Sequence, residues 1–298
     1  EFKLLLDQDA YVKQIPTRAI TNALRASAEE KTSQTEYAEY RGDLGMLSWH
    51  AACTGIWSCY DASVLARPVH CLKQRHRILL AKAVTKAKLY SHVPLSFVKL
   101  RTKFEEQVVL CHGDSGLGGE ELGTGDDDKD MSATQQGVVI TITDKVGDAA
   151  EFLERWNVAN IVFFRSGKSQ RATAATFSAE TQAACSSTDA GAWVSWVMAE
   201  AQGVRPTPIV RPPNRLHTTT DCQSLVDHLR GLKSLGRERS LVQFLGILRE
   251  ALARGTLDAM LHVASLAQLG DNLTKRSDGK VVARLLEQSG FRLWTTEK

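Results

Sequence analysis

The chain has 298 residues, 43% of them hydrophobic and 24% charged, with a formal net charge of +3. That is enough to bury a sizeable core and long enough for two units rather than one. No apolar run approaches the roughly 18 residues of a membrane-crossing helix, and the opening "EFKLLLDQDA" lacks a charged-then-apolar secretion signal.

In chain order, "RAITNALRASAEE" and "HRILLAKAVTKAKL" carry helical apolar spacing, punctuated by Arg67-Pro68 and Val93-Pro94, so the first hundred residues are expected to be mostly helical. They hold 14 Lys and Arg against 9 Asp and Glu, and no acidic residue lies between Ala62 and Lys103. A basic helix there could lie along phosphates through Arg75, Lys82 and Lys86, or could be a solvated face. From Glu106 the pattern changes. "QVVLCHGD", "GVVITITD" and "NIVFFRS" read as three strands, interrupted by the acidic, Gly-rich "GEELGTGDDDKDMSATQQ" and by "KVGDAAEFLERWNVA", which is helical in character. A helix from about Ser178 to Glu200 follows, with Trp193 and Trp196 read as core. After it come a strand "RLHTTTD", a helical stretch from Cys222 to about Gly255, a strand "DAMLHVAS" and a terminal helix. Three strands followed by alternating helix and strand predict a mixed α/β sheet.

Four carboxylates fall at element ends on this skeleton. Asp114 ends the first strand, Glu180 sits in the first turn of the long helix, Asp221 ends the fourth strand, and Asp271 is expected to start the last helix. If the first and fourth strands are neighbours, Asp114 and Asp221 lie side by side. Such a cluster is tolerable only with cations to neutralise it, and oxygen-only ligands favour Mg²⁺ or Mn²⁺. Two such ions suit phosphodiester hydrolysis. Lys168, Arg171 and Lys275 stand close in sequence to these carboxylates and could hold phosphates. His262 is either a packed strand histidine or a mobile proton shuttle.

"HGDSGLGG" (112–119) admits a competing reading as the nucleophile loop of a trypsin-type protease. Leu117 interrupts that motif, and the partner His and Asp would have to precede the serine on two antiparallel barrels. The small residues are better read as a sharp exit from the first strand, where a nucleic-acid backbone can approach. Six cysteines occur without a Cys-x-x-Cys pair, against a zinc knuckle or disulfide framework and for a reducing, intracellular compartment. A start at Glu1 rather than Met suggests a piece of a longer polypeptide.

Several motifs stand in one order along the chain: "YRGDLGMLSW" (40–49), "HGDSGLGG", "SGKSQ" (166–170), "SAETQAA" (178–184), "DCQSL" from Asp221, Arg249-Glu250 and "LGDNLTK" (269–275). Together they resemble the ribonuclease H domain of copia-type LTR retrotransposon polyproteins, preceded by the tail of a reverse transcriptase. In that family the corresponding runs read Ser-x-x-Gln, Ala-Glu-Tyr, Asp-Asn-Gln-Ser and Leu-Ala-Asp-x-Leu-Thr-Lys. Thr181, Cys222 and Ser240 depart from it, and no Tyr-x-Asp-Asp polymerase motif occurs.

The resemblance implies a ribonuclease H-like mixed five-stranded sheet flanked by helices over 104–298, after a basic helical reverse-transcriptase tail over 1–103. It implies cleavage of the RNA strand of RNA/DNA hybrids in a cytoplasmic particle or the nucleus, with an upstream polymerase domain of the same polyprotein as partner. Asp114 would bridge two Mg²⁺ ions, Glu180 and Asp221 completing one site and Asp271 the other. His262 would be the proton shuttle. Arg75, Lys82, Lys86, Lys168, Arg171 and Lys275 would bind nucleic acid. The alternative is a co-opted nucleic-acid-binding remnant without turnover.

Overall fold

The computed structural model describes residues 2–116, 134–144, 156–169, 175–205, 214–231, 239–276 and 280–295. The acidic insertion after the first sheet strand, most of the interruption after the second, and Arg171 lie outside the described residues.

The first hundred residues are helical as their periodicity predicts, with α1 (Asp9–Gln14), α2 (Asn22–Ala26), α3 (Gln34–Cys53), α4 (Cys59–Leu65) and α5 (Gln74–Leu89). A two-stranded ribbon joins β1 (Lys3–Leu6) to β2 (Leu95–Val98) antiparallel, a pairing too short to announce itself by alternation. α3 starts with a capping box: the Ser33 hydroxyl accepts from the Glu36 N–H at 3.3 Å, and the Glu36 carboxylate accepts from the Ser33 N–H at 2.8 Å. It buries Tyr40, Leu44, Leu47 and Ala51, and the Tyr40 hydroxyl donates to the Leu65 carbonyl at 2.7 Å, tying α3 to the end of α4.

All five expected strands of the main sheet form: β3 (Val108–Gly116), β4 (Gln135–Thr143), β5 (Trp156–Lys168), β6 (Arg215–Thr220) and β7 (Ala259–His262). A sixth, β8 (Gly290–Arg292), adds to the edge beside β5, giving the order β7-β6-β3-β4-β5-β8. β3, β4 and β5 run antiparallel in sequence, whereas β6 and β7 lie parallel to β3. The parallel pairs need crossovers, supplied by α6 (Thr176–Ala201) between β5 and β6, and by α7 (Gln223–Leu229) and α8 (Arg239–Arg254) between β6 and β7. The sheet is therefore mixed and covered on both faces, which is why β3 and β4 read as nearly unbroken apolar runs.

The two faces carry different cores. Val109, Cys111, Val138 and Ile140 pack under α6, α7 and α8 with Ala184, Leu225, Leu245 and Leu248. Val108, Leu110, Val139 and Ile161 face the other way, into a core shared with Leu47, Leu65 and Val84 of the N-terminal helices and with Leu285 and Phe291 near the C-terminus.

Three local readings need correction. The stretch from Cys222 to Gly255 holds two helices, and just past the end of α7 Gly231 takes φ +77°, a left-handed backbone that glycine takes without strain. Trp193 is not core: it is 59% exposed on α6, its ring 6.3 Å from that of Phe163 between centroids. Asp271 does not start the last helix. It lies in a 3-10 turn, Leu269–Leu273, and the last helix, α9 (Lys280–Gln288), begins beyond it.

Candidate active site

Parallel pairing sets the first two carboxylates. His112 of β3 lies opposite Thr219 of β6, so two residues further along each strand bring Asp114 and Asp221 to the same end of the sheet. Glu180 arrives from α6, which lies unusually close to β3: a Cβ on Gly113 would stand 2.5 Å from Ser187 Oγ and 2.6 Å from the Ala183 carbonyl, so only glycine fits. One carboxylate oxygen from each of Asp114, Glu180 and Asp221 lies within 4.8 Å of the others.

The surroundings of the three differ. Asp114 is buried and its Oδ2 accepts from Thr274 Oγ1 at 2.6 Å. Glu180 is buried, with Oε1 accepting from Ser115 Oγ at 2.8 Å and Oε2 lacking a hydrogen-bond partner among the described residues. Asp221 is half-buried. Burial pushes Asp114 up to about 6, against the Thr274 hydrogen bond and with the charges of Asp271 and Asp221 adding to the rise. Burial, then the Asp114 charge, pushes Glu180 up to about 8. Three acidic groups in mutual reach, one with an orphaned buried oxygen, form a donor set that suits a hard divalent cation.

Asp271 stands outside that group of three. Its carboxylate pairs with Lys275 Nζ at 2.5 Å, although its charge reaches Asp114. The turn that carries it is pressed flat on the strands: a Cβ on Gly137 would lie 2.4 Å from the Gly270 carbonyl, and one on Gly270 would lie 2.9 Å from Asp114 Cβ. Gly113 and Gly116 of "HGDSGLGG" serve the same purpose. β3 continues to Gly116, whose missing Cβ makes room for the Thr274 carbonyl, so at Gly113 and Gly116 the close approach is by protein rather than by nucleic acid.

No protein family model matches the chain, and no curated protein matches it. Solved structures do. Ribonuclease H1 from the halophilic archaeon Halobacterium salinarum is 17% identical over 55% of this chain and 92% of its own, with a TM-score of 0.33. The N-terminal ribonuclease H domain of a Mycobacterium tuberculosis protein is 15% identical over 61% and 96%, at 0.31. LC11 ribonuclease H1, solved in complex with an RNA/DNA hybrid, is 12% identical over 58% and 99%, at 0.34. The fold of this chain is α/β, a mixed sheet flanked by helices.

The remaining expected residues are distributed unevenly. Lys275 is 57% exposed in its side chain beside the carboxylates, and Lys168 is exposed at the end of β5. His262 Nε2 donates to the Asp221 carbonyl at 3.2 Å, which holds the ring against the loop that carries that carboxylate. On α5, Arg75 pairs with Glu29 at 2.7 Å and Lys86 with the nearly buried Asp61 at 2.8 Å, whereas Lys82 is exposed. Among the described residues no helix is long and apolar enough to cross a membrane.

Two supports of the site escaped the sequence reading. Thr274 is one. The other is a polar cluster beneath Asp114, in which Gln268 Nε2 donates to the carbonyls of Gly113 and Thr219, each at 3.1 Å, while Thr219 Oγ1 lies 2.9 Å from His112 Nδ1. It stitches β3, β6 and the Asp271 turn together. Burial lowers His112 to about 3, so its ring is neutral. Its glutamine stands just ahead of "LGDNLTK", and nothing local in the sequence joins it to His112 or Thr219.

Proposed function

We propose that this chain is a divalent-metal-dependent endoribonuclease that cleaves the RNA strand of RNA/DNA hybrids. We take residues 104–298 as its nuclease domain and residues 1–103 as the basic tail of a reverse transcriptase within a copia-type retrotransposon polyprotein. The observation that carries this reading is the convergence of Asp114, Glu180 and Asp221, from three separate elements, with one buried carboxylate oxygen left without a partner among the described residues. The order of motifs along the chain supplies the rest.

Asp114, Glu180 and Asp221 would hold one Mg²⁺ or Mn²⁺ ion, and Asp271 with Asp114 a second. Bound there, such cations supply the positive charge that eases attack by water and departure of the leaving oxygen at a phosphodiester. The chain's own groups prepare the place. Ser115 fixes one oxygen of Glu180 and leaves the other open; Thr274 does the same for Asp114. Lys275 and Lys168 present cations to the phosphates of a bound strand. Recognition of the hybrid would rest on 2′-hydroxyl and minor-groove shape contacts rather than on base reading.

The test is direct. With a labelled hybrid and Mg²⁺ the chain should cut RNA and leave the DNA strand whole. Asp114→Asn should lower the rate at least ~100-fold, equivalent to about 2.7 kcal/mol of transition-state stabilisation. Ser115→Ala should retain most activity. Near-parental cleavage by Asp114→Asn would remove the carboxylate site as its seat, and binding of the hybrid without cleavage by the parent chain would favour a co-opted binding remnant.

A further inference from the structure

The turn that carries Asp271 is gripped at both ends, and one grip comes from the N-terminal helices. Gln135, at the start of β4 and only 2% exposed, is a hub. Its Oε1 accepts from Arg67 Nη2, just beyond α4, and its Nε2 donates to Ser63 Oγ of α4 at 3.0 Å and to Ser166 Oγ of β5 at 2.6 Å. Ser166 Oγ in turn donates to the main-chain carbonyl of Leu273. A second tie runs from Asp61 of α4, 6% exposed, to Arg276 Nε at 3.7 Å. Between Leu273 and Arg276 sits Thr274, buried, with its hydroxyl 2.6 Å from Asp114 Oδ2 and 3.1 Å from the Asp271 carbonyl.

This chain of contacts bears on the carboxylate at the centre of the site. Asp114 can turn about its last side-chain bond unless something fixes one oxygen, and a short hydrogen bond to a carboxylate is among the stronger contacts a hydroxyl makes. A ligand that is held leaves its second oxygen aimed in one direction, and partners of this kind govern ion affinity in metal sites. Thr274 can do this only if its own backbone is held. The glycine contacts of Gly116, Gly137 and Gly270 press the turn onto the strands, and Gln268 holds its leading end to β3 and β6, which leaves the end from Leu273 to Arg276 to be fixed along them. The polar ties to Gln135, Ser166 and Asp61 supply that second constraint.

We propose that Thr274 is a positioning residue for Asp114, and that helix α4 holds Thr274 in register through Gln135, Ser166 and Asp61. The N-terminal helices are then a working part of the carboxylate site rather than a neighbour of it. The inference concerns ion binding and rests on the nuclease reading only for its effect on turnover.

Two measurements on the full chain test it. Hydrogen exchange should show the amides of residues 269–276 opening at least ~10-fold more often in Gln135→Leu and in Ser166→Ala, with α8 and β7 unchanged. Two variants are used because Gln135→Leu could unfold the chain, whereas Ser166→Ala removes a single hydroxyl. Calorimetric titration with Mn²⁺ should show affinity at least ~10-fold weaker in Thr274→Val and within a few-fold of the parent in Thr274→Ser. In hybrid cleavage, Thr274→Val should lower kcat with little change in KM.

Unchanged exchange in both variants would overturn the role of α4. Parental Mn²⁺ affinity in Thr274→Val, or equal losses in the Val and Ser variants, would overturn the role of the hydroxyl. A chain that binds Mn²⁺ as described but cuts no hybrid would sink the nuclease reading and leave this one standing. A parent chain that takes up no Mn²⁺ would remove the ion-binding role of Thr274, and the exchange result alone would then decide whether α4 holds the turn.

Discussion

A buried carboxylate oxygen without a partner is costly, and among the described residues Glu180 carries one. Without a cation the cost is met by holding protons. Asp114 is raised to about 6 from its ordinary 3.8, and Glu180 to about 8 from 4.5, both first of all by burial. The folded chain keeps these protons over a range in which the unfolded chain has released them. Their contribution to stability is complete below the unfolded values and is lost as pH rises through the folded ones. In a chelating buffer the melting temperature should therefore fall between about pH 5 and about pH 8.5, and Glu180→Gln should remove much of that fall. Saturating Mg²⁺ or Mn²⁺ should flatten or reverse it, since ions displace the protons. A melting temperature that rises over this range in chelator, for the parent and Glu180→Gln alike, would mean that the site is not desolvated as described. The acidic residues of this site were legible because carboxylates at element ends are a pattern. Thr274 stood in the matched run "LGDNLTK", but its part in the site was not legible, because a hydroxyl shows its partner only once the turn that bears it is in place.

At the scale of elements, the strands and α6 were legible from apolar runs and periodicity, since burial on both sheet faces leaves a plain imprint. The ribbon of β1 and β2, the edge strand β8 and the 3-10 turn of Asp271 were not. Each is short, and each is held by contacts distant in sequence, such as Ser96 Oγ donating to the Leu286 carbonyl at 2.8 Å. Helix α5 shows the same limit for charge. Its basic run has no acidic residue nearby in sequence, yet Glu29 and Asp61 come to it from other helices. Lys86→Gln should destabilise the chain by ~1–3 kcal/mol in urea unfolding, because it strips the nearest cation from nearly buried Asp61. It should leave the salt dependence of hybrid binding in Ca²⁺ unchanged. Lys82→Gln should do the reverse, keeping stability and lowering the slope of log affinity against log salt by at most about 0.9. A lowered slope in Lys86→Gln would return that residue to the phosphate contacts.

Over the whole molecule, one apolar core runs from Val12 and Leu47 through Leu110 and Ile161 to Leu285, Phe291 and Leu293. The N-terminal helices thus share their packing with the face of the sheet opposite α6. Nothing in local sequence announced this, because periodicity tells which side of a helix is apolar and not what covers it. Leu47, fully buried in α3, offers a test. Leu47→Ala should cost ~2–5 kcal/mol. Hydrogen exchange of the slowest β3 and β4 amides should register that loss in full, since helices and sheet open together. Loss confined to α3 and α5 amides would mean that the two parts open separately.

The position of Leu293 in that core has a consequence for synthesis. Val12, Leu47 and Val84 leave the ribosome well before Phe291 and Leu293, which belong to the same core. Contacts between such distant residues form slowly, and an uncovered apolar side is open to association in the meantime. The nascent chain therefore passes through a long interval in which these helices need shelter, and a chaperone that binds exposed aliphatic side chains would find its substrate before the carboxylate site exists.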